Sequence, residues 1–460
     1  MEAKMLADRR KIVLPIILLL LMPLFVSAQW LEATISVGTN PFDLVYNPIN
    51  NTIYCANWGS YGVSVIDGAN NSVITTIPIG STPRTLVHNP TDNKIYSANY
   101  YNSSVSVIDG ATNNVITEVP VGTFPCAFAY NTIDNKVYCA NYISNSVSVI
   151  DGTTNNVITT IPVGTNPVAL VHNPTDNKVY SANYISNNVS VIDGITNSII
   201  ATVPAGSYPN AFVRNPVSNR IYCANGGSDN ITVIDGQTDS VVTTIQVIRW
   251  PIALAHNAEN DKIYCANNWR DTVTVIDGVT DSIITNIPVG DEPCALIHNT
   301  INNKIYCANP GLYPSSSDST ITVIDGAADS VITTITVGNG PKAFAFNPQY
   351  NRIYVANYYG NSISVIRDSM VGVEELRQNA SSFILDVYPN PIRTAFTIRA
   401  SAPLCNVRIY DSLGELVKTV TLTKFENMIT VSMNKMSAGV YFVKVITERN
   451  ELIRKVIVTK

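Results

Sequence analysis

Along most of the chain, short runs rich in Val, Ile, Thr and Tyr alternate with clusters of Asn, Asp, Gly and Pro. The apolar positions recur with a period of two and no helical period competes, so the pattern predicts strands joined by turns. The stretch "NTIYCANWGSYGVSVIDG", residues 51–68, reads as two strands around a polar loop. It returns as "NKIYSANYYNSSVSVIDG" from Asn93 and as "NKVYCANYISNSVSVIDG" from Asn135. Aligning on Ile-Asp-Gly places Asp67, Asp109, Asp151, Asp193, Asp235 and Asp277 at steps of 42 residues, and Asp325 a step of 48 further on. The six extra residues fall between Asn309 and Thr320, in a loop. An eighth copy ends in "SISVIRD", with Arg367 where the aspartate is expected.

Each unit holds four strand-like runs. In the second they are "RTLVH", "KIYSAN", "SVSVID" and "NVITEVPVG", separated by turns through Asn89–Asn93 and Asp109–Asn113. Those residue types supply left-handed backbone or a preset φ. Four strands per period of about 40 residues is the signature of a propeller blade. One blade leaves both faces uncovered, so neighbours must cover them and the ring must close. The run "ATISVG" from Ala33 matches the last strand of a unit yet precedes the first unit, and the eighth unit lacks that strand after Val365. The expectation is an all-β chain: an eight-bladed β-propeller over residues 29–368, with the N-terminal strand completing the last blade.

After Ser369 the period is lost. Residues 369–382 read as a linker, and 383–460 as a small C-terminal β-sandwich of six or seven short strands, among them "AFTIRAS" and "CNVRIYDSLGELVKTV".

At the other end, Arg9, Arg10 and Lys11 precede the apolar run "IVLPIILLLLMPLFV" and the small residues Val26-Ser27-Ala28. This predicts a signal peptide over residues 1–28, a mature start at Gln29, and a chain that does not span the membrane once mature. Residues 29–368 carry 13 Lys and Arg against 24 Asp and Glu, whereas 369–460 carry 12 against 8. An acidic body without a basic patch argues against nucleic acid as a partner.

The repeat words resemble the YVTN family of propeller repeats, best in "IYVANYYGNSISVI" from Ile353. That resemblance implies the fold and an exported protein, and says little of activity. "VYPNP", with Tyr388, Pro389, Asn390 and Pro391, then "SAGVYFVKV", with Gly439 and Tyr441, and a final Lys460 resemble the type A sorting domain of the type IX secretion system. The resemblance implies the type IX secretion machinery as a partner and a secreted or outer-surface location.

The four histidines, His88, His172, His256 and His298, share one slot of the repeat and so lie on separate blades. A zinc site needs its ligands near 2 Å from one ion, so inter-blade packing is the expected role and no metal is assigned. Cys55, Cys139, Cys223, Cys265 and Cys307 share another slot, filled elsewhere by Ser97, Ser181 and Val355, which asks for a small buried side chain. Cys126 and Cys294 each lie 13 residues before a cysteine of the same unit. Disulfides Cys126–Cys139 and Cys294–Cys307 are open alternatives to free thiols, although a four-residue turn would leave the partners diagonal. No catalytic motif and no cofactor-binding motif is present, and no catalytic residue is assigned.

What escapes the repetition is a set of loops at one end of the ring. The loop after "AN" carries Trp58 and Tyr61, Tyr100 and Tyr101, Trp269, Tyr313, and Tyr358 and Tyr359; the loop after "PVG" carries Phe124, Tyr208, Arg249 and Trp250. Tyr100, Tyr142, Tyr184 and Tyr358 recur at a regular slot and fit structural caps. Trp58, Tyr61, Phe124, Tyr208, Arg249, Trp250, Trp269 and Tyr313 are the candidate ligand-binding residues. Rings among Asn, Ser and Gly suit a glycan or protein ligand, which predicts a non-catalytic binding module. Two other classes stay open. One is a hydrolase or lyase at the channel mouth, drawing on Asp43, Arg84, Asp229, Arg249, Arg270, Asp271, Asp291, Glu292 or Lys342. The other is a structural surface-layer scaffold.

Overall fold

A computed structural model describes residues 27–311, 319–370 and 385–459, apart from 389–391, 393, 412–415, 434–435 and 448–450. Residues 1–26 of the expected signal segment and 371–382 of the expected linker lie outside the described residues; Ser27 and Ala28 begin the first strand, and Ser369 and Met370 end the strand from Ser362. Ala28–Ser369 form one compact unit, and the strands after Met370 belong to a second.

The first unit contains eight four-stranded antiparallel sheets. The first of them is built from β2 (Pro41–Asn47), β3 (Thr52–Asn57), β4 (Gly62–Asp67) and β5 (Val73–Pro78) in chain order. Six more follow the same plan. The last joins β1 (Ser27–Ser36) to the strands Ser362–Met370, Arg352–Asn357 and Pro341–Asn347, so the N-terminal strand does complete the final sheet. The inner strand of each sheet packs on the next one round the ring, and that of the eighth on the first.

The two middle strands of each sheet are buried on both faces, with small Ser, Thr, Cys or Ala side chains buried between the Ile, Val and Tyr. Sheets share their cores in pairs: Tyr54, Val63 and Val65 of the first pack with Leu86, Ile95 and Ile108 of the second. At the closure, Ile35 of β1 and Tyr354, Ile363 and Val365 pack with Leu44, Ile53, Cys55 and Ile66 of the first sheet.

Polar side chains then fix the angle between sheets. The Asn at the end of each inner strand is fully buried. It donates its amide to the left-handed turn residue of the next sheet, from Asn47 to Asn93 (2.8 Å) through Asn215 to Asp261 (2.7 Å). Each buried Tyr of the second strand reaches the outer turn of the next sheet, as Tyr54 does to Asn113 (2.6 Å) and Tyr222 to Asp281 (2.5 Å). The Ile-Asp-Gly aspartates cap their own turns: Asp151 accepts the N–H groups of Thr153 and Thr154 at 3.0 and 2.7 Å.

At the eighth sheet Asp368 takes the acceptor role. Buried in the ring closure, it accepts from Lys304 Nζ (2.7 Å), Tyr306 Oη (2.7 Å), Asn299 Nδ2 (2.9 Å) and Gln29 Nε2 (3.0 Å). Beside it Arg352 makes a two-point ion pair with Glu32 of β1, both bonds 2.7 Å.

Neither candidate disulfide forms: Cys126, Cys139, Cys294 and Cys307 are all free thiols. The turn between the strands does span four residues, Asn131 pairing with Lys136, but the cause is more specific. The pairing register slips between Pro125 and Ala127, and this bulge turns the Cys126 thiol to Pro167 O of the next sheet, 3.3 Å away. Cys294 likewise donates to Pro341 O at 3.4 Å.

In the second unit, five strands form one bent sheet. "AFTIRAS" and the start of "CNVRIYDS", read from sequence as separate strands, are one strand, Ala395–Tyr410. Its pairing shifts between Arg399 and Leu404, where no Gly or Asn provides a reversal, so the strand bends and continues. Phe396, Ile398, Leu404, Val407, Ile409, Val443, Val445 and Val456 fill the core inside the bend.

Candidate functional site

The loops predicted to share one end of the ring are tied together by the backbone. In seven of the eight units the residue after "AN" donates its N–H to the carbonyl of the residue before the inner-strand proline, as Trp58 does to Asn40 (3.0 Å), Tyr142 to Phe124 (2.9 Å) and Asn268 to Trp250 (3.0 Å); in the seventh, Pro310 has no N–H to give. The donor residues and the pre-proline residues therefore form two concentric rows.

The pre-proline slot has left-handed backbone in every sheet but the second, where it is Thr82. Asn40, Asn166 and Gly340 occupy it in three sheets, as the conformation favours. In three others it holds Phe124, Tyr208 and Trp250, each at φ +58°. Tyr61 stands left-handed at φ +56° in the companion loop. A bulky side chain at positive φ costs of order 1–2 kcal/mol, so four of the eight candidate residues are held against their own preference.

The rings gather into two arcs. One runs across the eighth to third sheets: Tyr358 lies edge-on to Phe42 (5.9 Å), Phe42 stacks on Trp58 (5.5 Å), Trp58 meets Tyr100 and Tyr101 (5.4 and 5.6 Å), and Tyr100 stacks on Phe124 (4.6 Å, 10°). The other joins Tyr184 to Tyr208 (4.6 Å, 12°), Tyr208 to Trp250 (6.4 Å) and Trp250 to Trp269 (4.6 Å, 7°), with the Arg249 guanidinium 4.8 Å over Trp269. Tyr100, Tyr184 and Tyr358 are half-buried in these stacks and cap the sheet ends. Tyr61 (56% exposed), Trp269 (51%), Tyr101 (62%) and Tyr208 (39%) keep open faces. Tyr313 lies outside the described residues.

Between the first and second sheets the loops leave a hollow of about 420 Å³ lined by Trp58, Tyr61, Tyr101 and Tyr358, with Asn40, Asn102, Ser81 and Thr82 among them. Tyr101 and the polar members were not among the candidate ligand-binding residues read from sequence, nor was Phe42, which stacks on Trp58. The available signal was that Phe42 follows the proline at a slot filled by Arg84 and Lys342 in neighbouring units. Arg84 lies 5.6 Å from the Phe42 ring and 4.7 Å from Tyr100, and Lys342 Nζ lies 4.5 Å from Phe42.

Of the candidates for acid–base chemistry, Glu292 and Lys342 line one hollow beside Phe42, and Arg84 and Lys342 both reach the Phe42 ring. Asp43 is the exception in a row of small residues. Desolvation pushes its carboxyl up, against hydrogen bonds from Leu86 N, Thr85 Oγ1 and Leu44 N and the charge of Lys342. Asp229 and Asp271 accept the N–H groups of Trp250 and Glu292 and so act as loop braces. Among the described residues no three His, Cys, Asp or Glu side chains are gathered to hold a metal ion. His88, His172 and His298 stay half-buried, and burial lowers their pKa values. Burial raises the ring-facing thiols, Cys126 and Cys294 to about 11.

In the second unit, Tyr388 ends the strand Leu385–Tyr388, while Pro389, Asn390, Pro391 and Lys460 lie outside the described residues. Gly439 opens the strand Gly439–Thr447, and Tyr441 is buried with its hydroxyl on Ser437 O at 3.0 Å.

No curated protein matches the chain. Among solved structures it is similar to hydrazine synthase of Kuenenia stuttgartiensis, with a TM-score of 0.51 and 18% identity over 73% of this chain and 98% of that one. At that identity the likeness concerns the propeller-type fold alone. No helix among the described residues is long and apolar enough to cross a membrane. Residues 386–459 match the family model of the secretion system C-terminal sorting domain. The chain thus carries a type IX sorting domain behind a propeller-like body, and is secreted to the cell surface.

Proposed function

We propose that the repeat unit is the cargo of the sorting domain, a YVTN-type propeller that binds a saccharide on its ring-lined end without transforming it. The observation that carries this reading is the hollow between the first and second sheets. Indole and phenol faces meet amides and hydroxyls there, the pairing that suits sugar rings and their hydroxyl groups. The left-handed aromatics support it, because strain of that kind persists where the surrounding structure over-determines a functional shape.

Glycan and protein arrays probed with the full chain and with Trp58→Ala and Tyr101→Ala variants test the reading. Saccharide binding that weakens in both variants supports it. Binding confined to proteins, or indifferent to both substitutions, removes it.

One observation favours a second reading, hydrolysis or elimination at the channel mouth: the raised Asp43 carboxyl. Its three hydrogen-bond donors come from its own and the adjacent inner strand, which fits a strand-to-strand brace better than a general acid. Turnover of a bound saccharide that stops in Asp43→Asn with binding intact would favour the enzyme.

A further inference from the structure

The cations of the repeat unit divide into two groups. Lys94, Lys136, Lys178, Arg220, Lys262, Lys304 and Arg352 open the second strand of their sheets and hold the next sheet in place. Lys94 reaches Gly152 O (2.7 Å), Lys178 reaches Asp239 (2.8 Å), and Arg220 reaches Asp281 (2.6 Å). Arg214 bonds Asn173 and Arg367 faces Glu32. Four cations remain, Arg84, Arg249, Arg270 and Lys342, all in the loop end. Among the described residues none of the four has a carboxylate within 4.0 Å.

Two of these four converge. Arg84, Phe42 and Lys342 occupy the same slot in the second, first and eighth sheets, so they stand side by side at the channel mouth. Both cations reach the one Phe42 ring, which places them no more than about 10 Å apart. The nearby Asp43 makes no ion pair with either cation within 4.0 Å; its oxygens accept from Leu44, Leu86 and Thr85 instead. Glu292 lines a second hollow, of about 380 Å³, together with Lys342 and Phe42, and makes no ion pair with Lys342 within 4.0 Å. The outer side of the same pair is the aromatic row of Tyr358, Trp58 and Tyr100.

We propose that this sector takes an acidic saccharide, with a carboxylate or sulfate group between Arg84 and Lys342 and neighbouring sugar rings on Trp58 and Tyr101. The inference rests on the saccharide-binding reading above and names its ligand class. Two like charges held near each other with no carboxylate in ion-pair contact favour an anion, and cations over ring faces are pre-positioned for it. The rest of the unit is acidic, so this pair is a local exception.

The test uses the full chain against polygalacturonate, dextran sulfate and neutral dextran, by isothermal titration at low and high salt. Acidic polymer is expected to bind more tightly than dextran and to lose affinity with salt. In the Arg84→Gln/Lys342→Gln double variant its Kd is expected to rise about tenfold or more. Preference for polygalacturonate or for dextran sulfate identifies carboxylate or sulfate as the recognised group. Unchanged thermal unfolding of the double variant, and dextran affinity equal to that of the parent, separate lost recognition from lost structure. If dextran binds and acidic polymers gain nothing, or gain equally in the double variant, the acidic-ligand inference falls and the binding reading stands. If no saccharide binds, both fall.

Discussion

Asn347 donates its side-chain amide to Asn51 Oδ1 at 2.8 Å, although 296 residues separate them. It is the eighth step of a ring of identical bonds, each from a buried inner-strand Asn to the left-handed turn residue of the next sheet. The same two residue types that make the hairpin turn locally thus set the sheet-to-sheet contact, and the last bond can form only if the ring has closed.

Closure should therefore depend on few residues. Asp368→Ala leaves Lys304 buried without its partner and Tyr306 without an acceptor, and removes one of the two acceptors of the Asn299 amide. Chemical denaturation is expected to show a loss of about 3–5 kcal/mol, the usual cost of breaking a buried ion pair from one side. Asp368→Asn, which keeps an acceptor, should lose less. Equal stability of Asp368→Ala and parent would show that the ring closes by packing alone.

The N-terminal strand is the other half of that closure. Glu32→Ala removes the two-point partner of Arg352. Limited proteolysis is expected to release the strand Ser27–Ser36 from this variant earlier than from the parent. Identical cleavage patterns would count against the pair as the clasp.

Tyr61 offers a test of strain kept for function. Its backbone sits at φ +56°, it is 56% exposed, and it borders the hollow beside Trp58. Tyr61→Asn should raise stability by about 1 kcal/mol, because Asn tolerates that backbone better. Saccharide binding should weaken in the same variant. A stability gain with undiminished binding would leave the conformation without a functional reason.

Acid should weaken the fold in two stages. His88, His172 and His298 have folded pKa values below the ordinary one of about 6.5, chiefly through burial. The unfolded chain then binds more protons, so the full contribution is present above about 6.5 and is lost as pH falls toward the lowered folded values. The turn aspartates, such as Asp151 and Asp193, are shifted down by backbone hydrogen bonds from Thr154 and Thr196. Their contribution is present above the ordinary Asp value of about 3.9 and disappears below it. His172→Tyr, the residue found at that slot in Tyr46 and Tyr130, should shrink the first stage by the share of one of the three histidines and leave the second.

The thiols should all titrate as free. Cys55, Cys139, Cys223, Cys265 and Cys307 are buried and should react only on unfolding, while the partly open Cys294 reacts first and faster toward its value of about 11. A native chain that yields fewer thiols after unfolding without reductant would restore a disulfide between Cys126 and Cys139 or between Cys294 and Cys307.

The sequence by itself determined the strands, their turns, the repeat and the need to close the ring, because each is a local matter. Left-handed turns ask for Asn, Asp or Gly at fixed positions, and a strand buried on both faces asks for apolar or small side chains at successive positions. The sorting motif was equally legible, as a short ordered set of words. The tertiary structure decided what depends on residues of different sheets. Asn47 and Asn93 looked like two turn residues until neighbouring sheets brought them to 2.8 Å. Asp368 looked like a misplaced repeat residue until closure put four donors around it. The bulge at Cys126, which a strand pattern does not encode, sent one thiol away from its neighbour. The aromatic loops were readable as an inventory, but which rings would stack on each other and which would keep an open face followed only from the angle between sheets. Arg84 and Lys342 are 258 positions apart in the chain and meet over Phe42 because the eighth sheet packs on the first.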